Sequence, residues 1–234
     1  MARVLVTRAL PEAQTTAARL AAMGHKALLS PVLEIENLPA AITTNGAQAL
    51  VFTSQAGVRA AAGRVALKTV AVFAVGDATA QAARDAGFSA VQSAGAGAAE
   101  LVALISGSAK PQAGAIVHVR GEDVAVDVAG ALRGAGFDVR EAVVYRATRA
   151  QALSTEGRDA LAATPARIES VLFHSARGAE AFAQLARGAN VAQACGALVA
   201  LCLSARVAEA AKALAWREIR VALAPQEEAL LSLV

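Results

Sequence analysis

This chain writes one strand-to-helix corner twice. VFTSQAGVRAA (51–61) and LFHSARGAEAF (172–182) each pass from a Phe-bearing apolar strand through a Ser into an Ala- and Arg-containing helix, with Gly three residues after the Ser. The repeat extends outward. VLVTR…RLAAMGH (4–25) matches IVHVR…ALRGAGF (116–137), and FAVGDATAQAARDAGF (73–88) matches LCLSARVAEAAKALAW (201–216). Arg8 and Arg120 are as far apart as Gly24 and Gly136, and Phe52 and Phe173 as far apart as Ser54 and Ser175. Constant spacing within a pair and altered spacing between pairs is what a duplication followed by loop growth leaves behind.

Within each copy, short β-branched apolar runs alternate with Ala-rich stretches. That alternation predicts β-α units and parallel sheets. The runs, VLVT (4–7), ALVFT (49–53), AIVHV (115–119) and SVLFH (170–174) among them, are continuously apolar, as strands covered on both faces must be. Pro11 and Glu12 open a helix over 11–23, which Gly24 stops; DAGF (85–88) and GAGF (134–137) repeat the stop, Gly taking the left-handed conformation that ends a helix. In ALAW (213–216), Ala215 replaces that Gly, which predicts a less sharply defined helix end. The fold class expected is α/β: two similar doubly wound domains with parallel five-stranded sheets.

A split near SGSAKPQAG (106–114) would make the domains consecutive. The second strand of each half argues for another arrangement. KALLSPVLEIE (26–36) and DVREAVVYRAT (138–148) are longer than one domain needs, since about ten residues span roughly 30 Å. Such strands can cross between domains, so that each domain takes its first strands from one half and its later strands from the other.

Composition removes several function classes. With 56% apolar and 18% charged residues the chain is globular rather than disordered. Its net charge of +3 comes from scattered bases, so no nucleic-acid partner is expected. Cys195 and Cys202 lack metal-ligand spacing and read as buried free thiols in a reducing compartment. The N-terminal apolar run is too short for a signal peptide, and no run approaches roughly 18 apolar residues, so a soluble cytoplasmic protein without membrane contact is expected. No GxxxxGK[ST] loop and no GxSxG elbow occurs, and GAGAAE (95–100) lacks the third Gly of a dinucleotide loop. His25, His118 and His174 are dispersed and read as structural, His174 being notable for its place at a strand end.

In a parallel α/β sheet, ligands bind beyond the carboxyl ends of the strands. The residues there are Thr7 and Arg8, Thr53 and Ser54, Gly76 and Thr79, Arg120 and Gly121, His174 and Ser175, and Ser204 and Arg206. Each group precedes a helix, whose free N–H groups and positive dipole end attract carboxylates or phosphates. Capping alone explains Ser54, Ser175 and Ser204 individually; several anion-friendly corners facing one cleft would hold an extended polyanion. Tyr145, the single tyrosine, lies on the second long strand, either packed or with its hydroxyl turned to a cleft as a weak acid.

Taken in order, VLVTR, SPVLEI, VFTSQAGV, FAVGDATA, VRGE, VVYRAT, LFHSARG and LSARVAEAA resemble the uroporphyrinogen-III synthase family over nearly the whole chain. The resemblance implies a discontinuous domain of residues 1–35 plus 150–234, a second of 43–142, and two long crossing strands, 36–42 and 143–149. It implies a cyclising lyase that closes the linear tetrapyrrole hydroxymethylbilane to uroporphyrinogen III, losing water and inverting ring D through a spiro intermediate, in haem, sirohaem or cobalamin biosynthesis. It implies no metal or organic cofactor, and a monomer in transient contact at most with the enzyme that makes its substrate.

Carried over by position, Tyr145 is the catalytic candidate, assisting departure of the hydroxyl. Thr79 matches the family's Gly-x-Ala-Thr turn and Ser54 its hydroxyl after the FTS strand, while Arg8, Arg120, Arg177 and Arg206 are candidate carboxylate partners. Ser204 and Arg206 stand where many members have Gly-x-Thr, and Glu122 and Asp123 stand near a polyanion, where they would cap a helix or face solvent. The competing reading is a non-catalytic two-lobed binding or sensor protein for a small polyanion. A nucleotide-dependent transferase is disfavoured by the missing phosphate loop.

Overall fold

The computed structural model describes residues 1–66, 68–95, 97–123 and 126–234. Ala96 of GAGAAE and Val124 and Ala125 after Asp123 lie outside them. The chain begins β1 (Arg3–Val6), α1 (Glu12–Ala22), β2 (Lys26–Leu29), β3 (Leu33–Asn37), β4 (Ala47–Phe52), α2 (Gln55–Ala62), β5 (Ala71–Ala74), α3 (Asp77–Asp85), β6 (Val91–Ser93) and α4 (Ala98–Ser108). It continues with β7 (Ala115–Gly121), α5 (Val128–Gly134), β8 (Val139–Arg149), α6 (Thr155–Ala162), β9 (Ser170–Phe173), α7 (Ala176–Gly188), β10 (Val199–Cys202), α8 (Ala205–Ala211), β11 (Glu218–Val221) and α9 (Glu227–Leu231).

Two compact units result, Met1–Glu34 with Thr148–Val234 and Ile35–Ala147. The first sheet has the order β11-β10-β9-β1-β2, with every neighbouring pair parallel. The second has the order β3-β8-β7-β4-β5-β6, and its five strands from β8 to β6 are parallel. Each sheet therefore takes its first two parallel strands from one copy of the duplication and its last three from the other.

Two expectations need correction. The second sheet has six strands, not five, because β3 adds an edge next to β8. The first long strand is not continuous. It breaks at Ser30–Val32 into β2 in one sheet and β3 in the other, and residues 38–44 have no strand. Pro31 sits at the break, where it offers no N–H to a ladder. Its counterpart β8 carries no proline and runs unbroken for 11 residues.

The continuous apolar runs are buried on both sides, as their composition demands. In the first sheet, Leu5, Val171, Phe173, Ala200 and Cys202 pack beneath α6, α7 and α8, while Val4, Val6, Leu172 and Leu201 pack with Leu20 of α1 and Leu230 and Leu231 of α9. In the second, Leu50, Phe52, Val117 and Val119 pack with Val58 of α2, and Val51, Phe73 and Ile116 with Leu101 of α4 and Leu132 of α5. Gly24, Gly87 and Gly136 have φ of 82°, 91° and 89°, so the three sequence stops are left-handed helix ends as read. Cys195 and Cys202 are free and buried, and burial pushes both thiols up to about 12.

Candidate active site

In a doubly wound sheet the strand order reverses at one point, and the crevice there is where ligands bind. The reversal falls between β1 and β9 in the first sheet and between β7 and β4 in the second. Of the residues expected at strand ends, Thr7, Arg8, His174, Ser175 and Arg177 flank the first reversal, and Thr53, Ser54, Arg120 and Gly121 the second. Gly76 and Thr79 follow β5, and Ser204 and Arg206 follow β10, one strand farther out in each sheet.

At the second reversal the side chains meet. The Tyr145 hydroxyl lies 2.9 Å from Ser54 Oγ. Ser54 is the N-cap of α2 and accepts from Gly57 N–H at 3.1 Å. A shift in the β7–β8 register aims the tyrosine. Arg120 pairs with Val143 and Gly121 with Tyr145, so Val144 is the extra residue of a bulge, a device that re-aims a neighbouring side chain. The ring lies against Gly121, where an added Cβ would come 2.6 Å from Tyr145 Cζ. No residue but glycine fits there without moving the ring. Thr53 Oγ1 is 3.4 Å from Nε2 of His118, which is 1% exposed and leaves Nδ1 unpartnered among the described residues. Burial holds the His118 imidazole down at about 4, so it is neutral at physiological pH.

At the first reversal the polar groups are turned on one another. Thr7 Oγ1 donates to the Leu172 carbonyl at 2.6 Å and is 2% exposed. Arg8 pairs with Glu227 at 3.1 Å, and the Thr16 hydroxyl donates to the same carboxylate. His174 Nε2 stands 3.7 Å from Glu227, beyond hydrogen-bond reach, and burial holds the imidazole below its ordinary range. Burial alone would push the Glu227 carboxyl up; His174, Thr16 and Arg8 outweigh it and hold it at about 2.

Arg120 is similarly engaged. Its Nε donates to Glu141 at 2.7 Å, and its Nη1 to the carbonyls of Gly121 and Glu122. Arg133 shares that carboxylate at 2.9 Å. Arg177 and Arg206 are exposed. Two capping expectations divide: Ser175 accepts from Gly178 N–H at 3.0 Å, whereas the Ser204 side chain makes no cap hydrogen bond with α8. Glu122 and Asp123 are exposed and do not cap α5; Asp127 does. Thr79 is 6% exposed, in the first turn of α3 behind Gly76.

Sequence reasoning missed Glu227, Thr16 and Glu141, the partners that fix two of the candidate arginines. Glu227 lies 219 residues from Arg8, and no local pattern connects them. Among the described residues no group of three or more His, Cys, Asp or Glu could hold a metal ion, and no helix is long and apolar enough to cross a membrane.

The family model described as "Uroporphyrinogen-III synthase HemD" matches residues 14–232. The chain belongs to the uroporphyrinogen-III synthase family. It is accordingly an enzyme of tetrapyrrole biosynthesis, a cyclising lyase. The fold is similar to that of the uroporphyrinogen-III synthetase from Helicobacter pylori, with a TM-score of 0.64 and 18% identity over 100% of this chain and 98% of that one. It is also similar to a mutant uroporphyrinogen III synthase from the extremely thermophilic bacterium Thermus thermophilus, with a TM-score of 0.51 and 20% identity over 100% and 97%. At these identities the likeness speaks to the fold alone. No curated protein sequence matches the chain. Within the family fold, Ser54, Tyr145 and Gly121 meet at the reversal of the second sheet.

Proposed function

We propose that this enzyme converts hydroxymethylbilane to uroporphyrinogen III with Tyr145 as the proton donor to the departing hydroxyl. The observation that carries the assignment is the aimed phenol: a bulge, a glycine and a hydroxyl partner all fix the only tyrosine at the switch point.

The chemistry asks little of a catalyst in covalent terms. Tyr145 gives a proton to the terminal hydroxyl, the C–O bond breaks with the pyrrole nitrogen pushing, and water leaves. The resulting azafulvene is attacked by the substituted carbon of ring D, giving a spiro centre. That centre fragments and recloses with ring D reversed, and the proton shed as the last pyrrole regains aromaticity restores Tyr145. Electron-rich pyrroles close unaided to the uninverted isomer, so the enzyme's main work is orientation, worth about 7–11 kcal/mol in favourable cases. Acid assistance adds about 10²–10⁴-fold.

The substrate bears many acetate and propionate carboxylates. In the unit of the second sheet, first-turn N–H groups of α2 and α3 suit them, beside Thr53, Gly76 and Thr79; in the unit of the first sheet, first-turn N–H groups of α7 and the exposed Arg177 and Arg206 do. Arg8 and Arg120, each held by an internal glutamate, serve instead to fix the strand ends. Ser204, free of a capping bond, offers its hydroxyl to substrate. The chain acts in the cytoplasm as a monomer, meeting the enzyme that supplies its unstable substrate only transiently.

Tyr145→Phe tests the assignment. It is expected to lower kcat about 100-fold with circular dichroism unchanged. An unaltered kcat removes Tyr145 from the mechanism.

A further inference from the structure

The position of Ser54 supports a role beyond capping. Its Oγ touches two groups, accepting from Gly57 N–H at the N-terminus of α2 and lying 2.9 Å from the Tyr145 hydroxyl. A serine hydroxyl has one proton. If Tyr145 donated to Ser54, its own proton would be spent and unavailable to a leaving group. If Ser54 donates, the Tyr145 oxygen is an acceptor and its proton is left for substrate. Accepting from an N–H at the positive end of a helix polarises the serine hydroxyl and strengthens it as a donor.

We propose that Ser54 is a positioning residue: it passes the pull of the α2 N-terminus to Tyr145 through a chain of donors running from Gly57 N–H to Ser54 Oγ–H to Tyr145 Oη–H and on to the departing hydroxyl. No bond to Ser54 forms or breaks, and its proton stays in place. The inference rests on the acid role of Tyr145 given above, and it moves Ser54 from a contact of the substrate to a support of the acid. Two features of the backbone keep the chain in register. The bulge at Val144 turns the ring toward Ser54, and Gly121 lets the ring lie close enough for its hydroxyl to reach. The ring itself packs against the apolar cluster that contains Phe52, Val58 and Val119. The acid is thereby held by packing on one side and by a single directional bond on the other.

The test needs a variant that removes the hydroxyl but spares the helix start. Glycine is nearly as good an N-cap as serine, so Ser54→Gly is the informative change and Ser54→Thr the conservative rescue. Expected for Ser54→Gly is a kcat about tenfold lower, as for loss of one hydrogen bond, with KM unchanged. Ser54→Thr should restore the rate, and Ser54→Gly should cost nothing further in a Tyr145→Phe enzyme.

An independent readout comes from Raman spectroscopy, because the chain has one tyrosine and its Fermi doublet reports whether the phenol oxygen accepts a hydrogen bond. The doublet should mark an acceptor in the wild type and lose that signature in Ser54→Gly. A doublet identical in the two proteins, or a Ser54→Gly loss of equal size in the Tyr145→Phe background, overturns the proposal. A Tyr145→Phe enzyme of full rate overturns the acid role, whereas a full-rate Ser54→Gly enzyme beside a slow Tyr145→Phe enzyme overturns this inference alone.

Discussion

His118 shows how a buried residue sets the pH response of its unit. Its imidazole is walled in on β7, and desolvation is the leading cause that holds it at about 4 against an ordinary 6.5; nearby Glu141 pulls it up and Arg120 pulls it down. The unfolded chain takes a proton near 6.5 and the folded chain only near 4. The stability this represents is whole above 6.5, falls as pH drops through that window, and is gone below about 4. It amounts to something on the order of 3 kcal/mol. Urea unfolding followed across that window should show wild-type stability falling more steeply than that of His118→Gln, by up to one proton; parallel profiles would contradict the account. The sequence placed His118 in a strand and read it as structural, which its burial supports. It could not reveal Glu227 or Glu141 as the partners of Arg8 and Arg120, because ion pairs between distant elements leave no periodicity behind.

At the scale of elements, the repeated corners at Ser54 and Ser175 are capped alike, but a serine ahead of a helix does not always cap it. Ser175 and Ser204 both precede helices after buried strands, but only Ser175 accepts from the first turn of its helix. Ser175→Ala should therefore cost about 1 kcal/mol of stability, and Ser204→Ala under about 0.5. Equal losses in chemical denaturation would contradict this division. The strands show the same limit on legibility. Short apolar runs sufficed to place β1, β4, β7 and β9, and left-handed glycines placed the helix ends. The break at Pro31 was visible as a residue yet not as a consequence, since whether a strand pauses or ends at proline depends on its neighbours in the sheet. The bulge at Val144 was not legible, because a shift in register is a relation between two strands and neither sequence contains it.

At the scale of the whole molecule, the exchange of strands between the two copies of the duplication was legible because two second strands were too long for one sheet. The sheets bear this out in their order, each joining two parallel strands of one copy to three of the other. What the duplication could not convey is that the two reversal points differ in their side-chain contacts. The reversal point in the second sheet presents an aimed phenol. Its equivalent in the first pairs Arg8 and Thr16 with Glu227, a carboxylate held at about 2. With hydroxyls, amides and arginines at these corners, the chain steers pyrrole chemistry toward the inverted product. Incubating the purified protein with freshly generated hydroxymethylbilane, oxidising the products and resolving the porphyrin isomers measures that steering directly. Predominance of isomer III is the predicted result, and isomer I alone, at the rate of spontaneous closure, would contradict it.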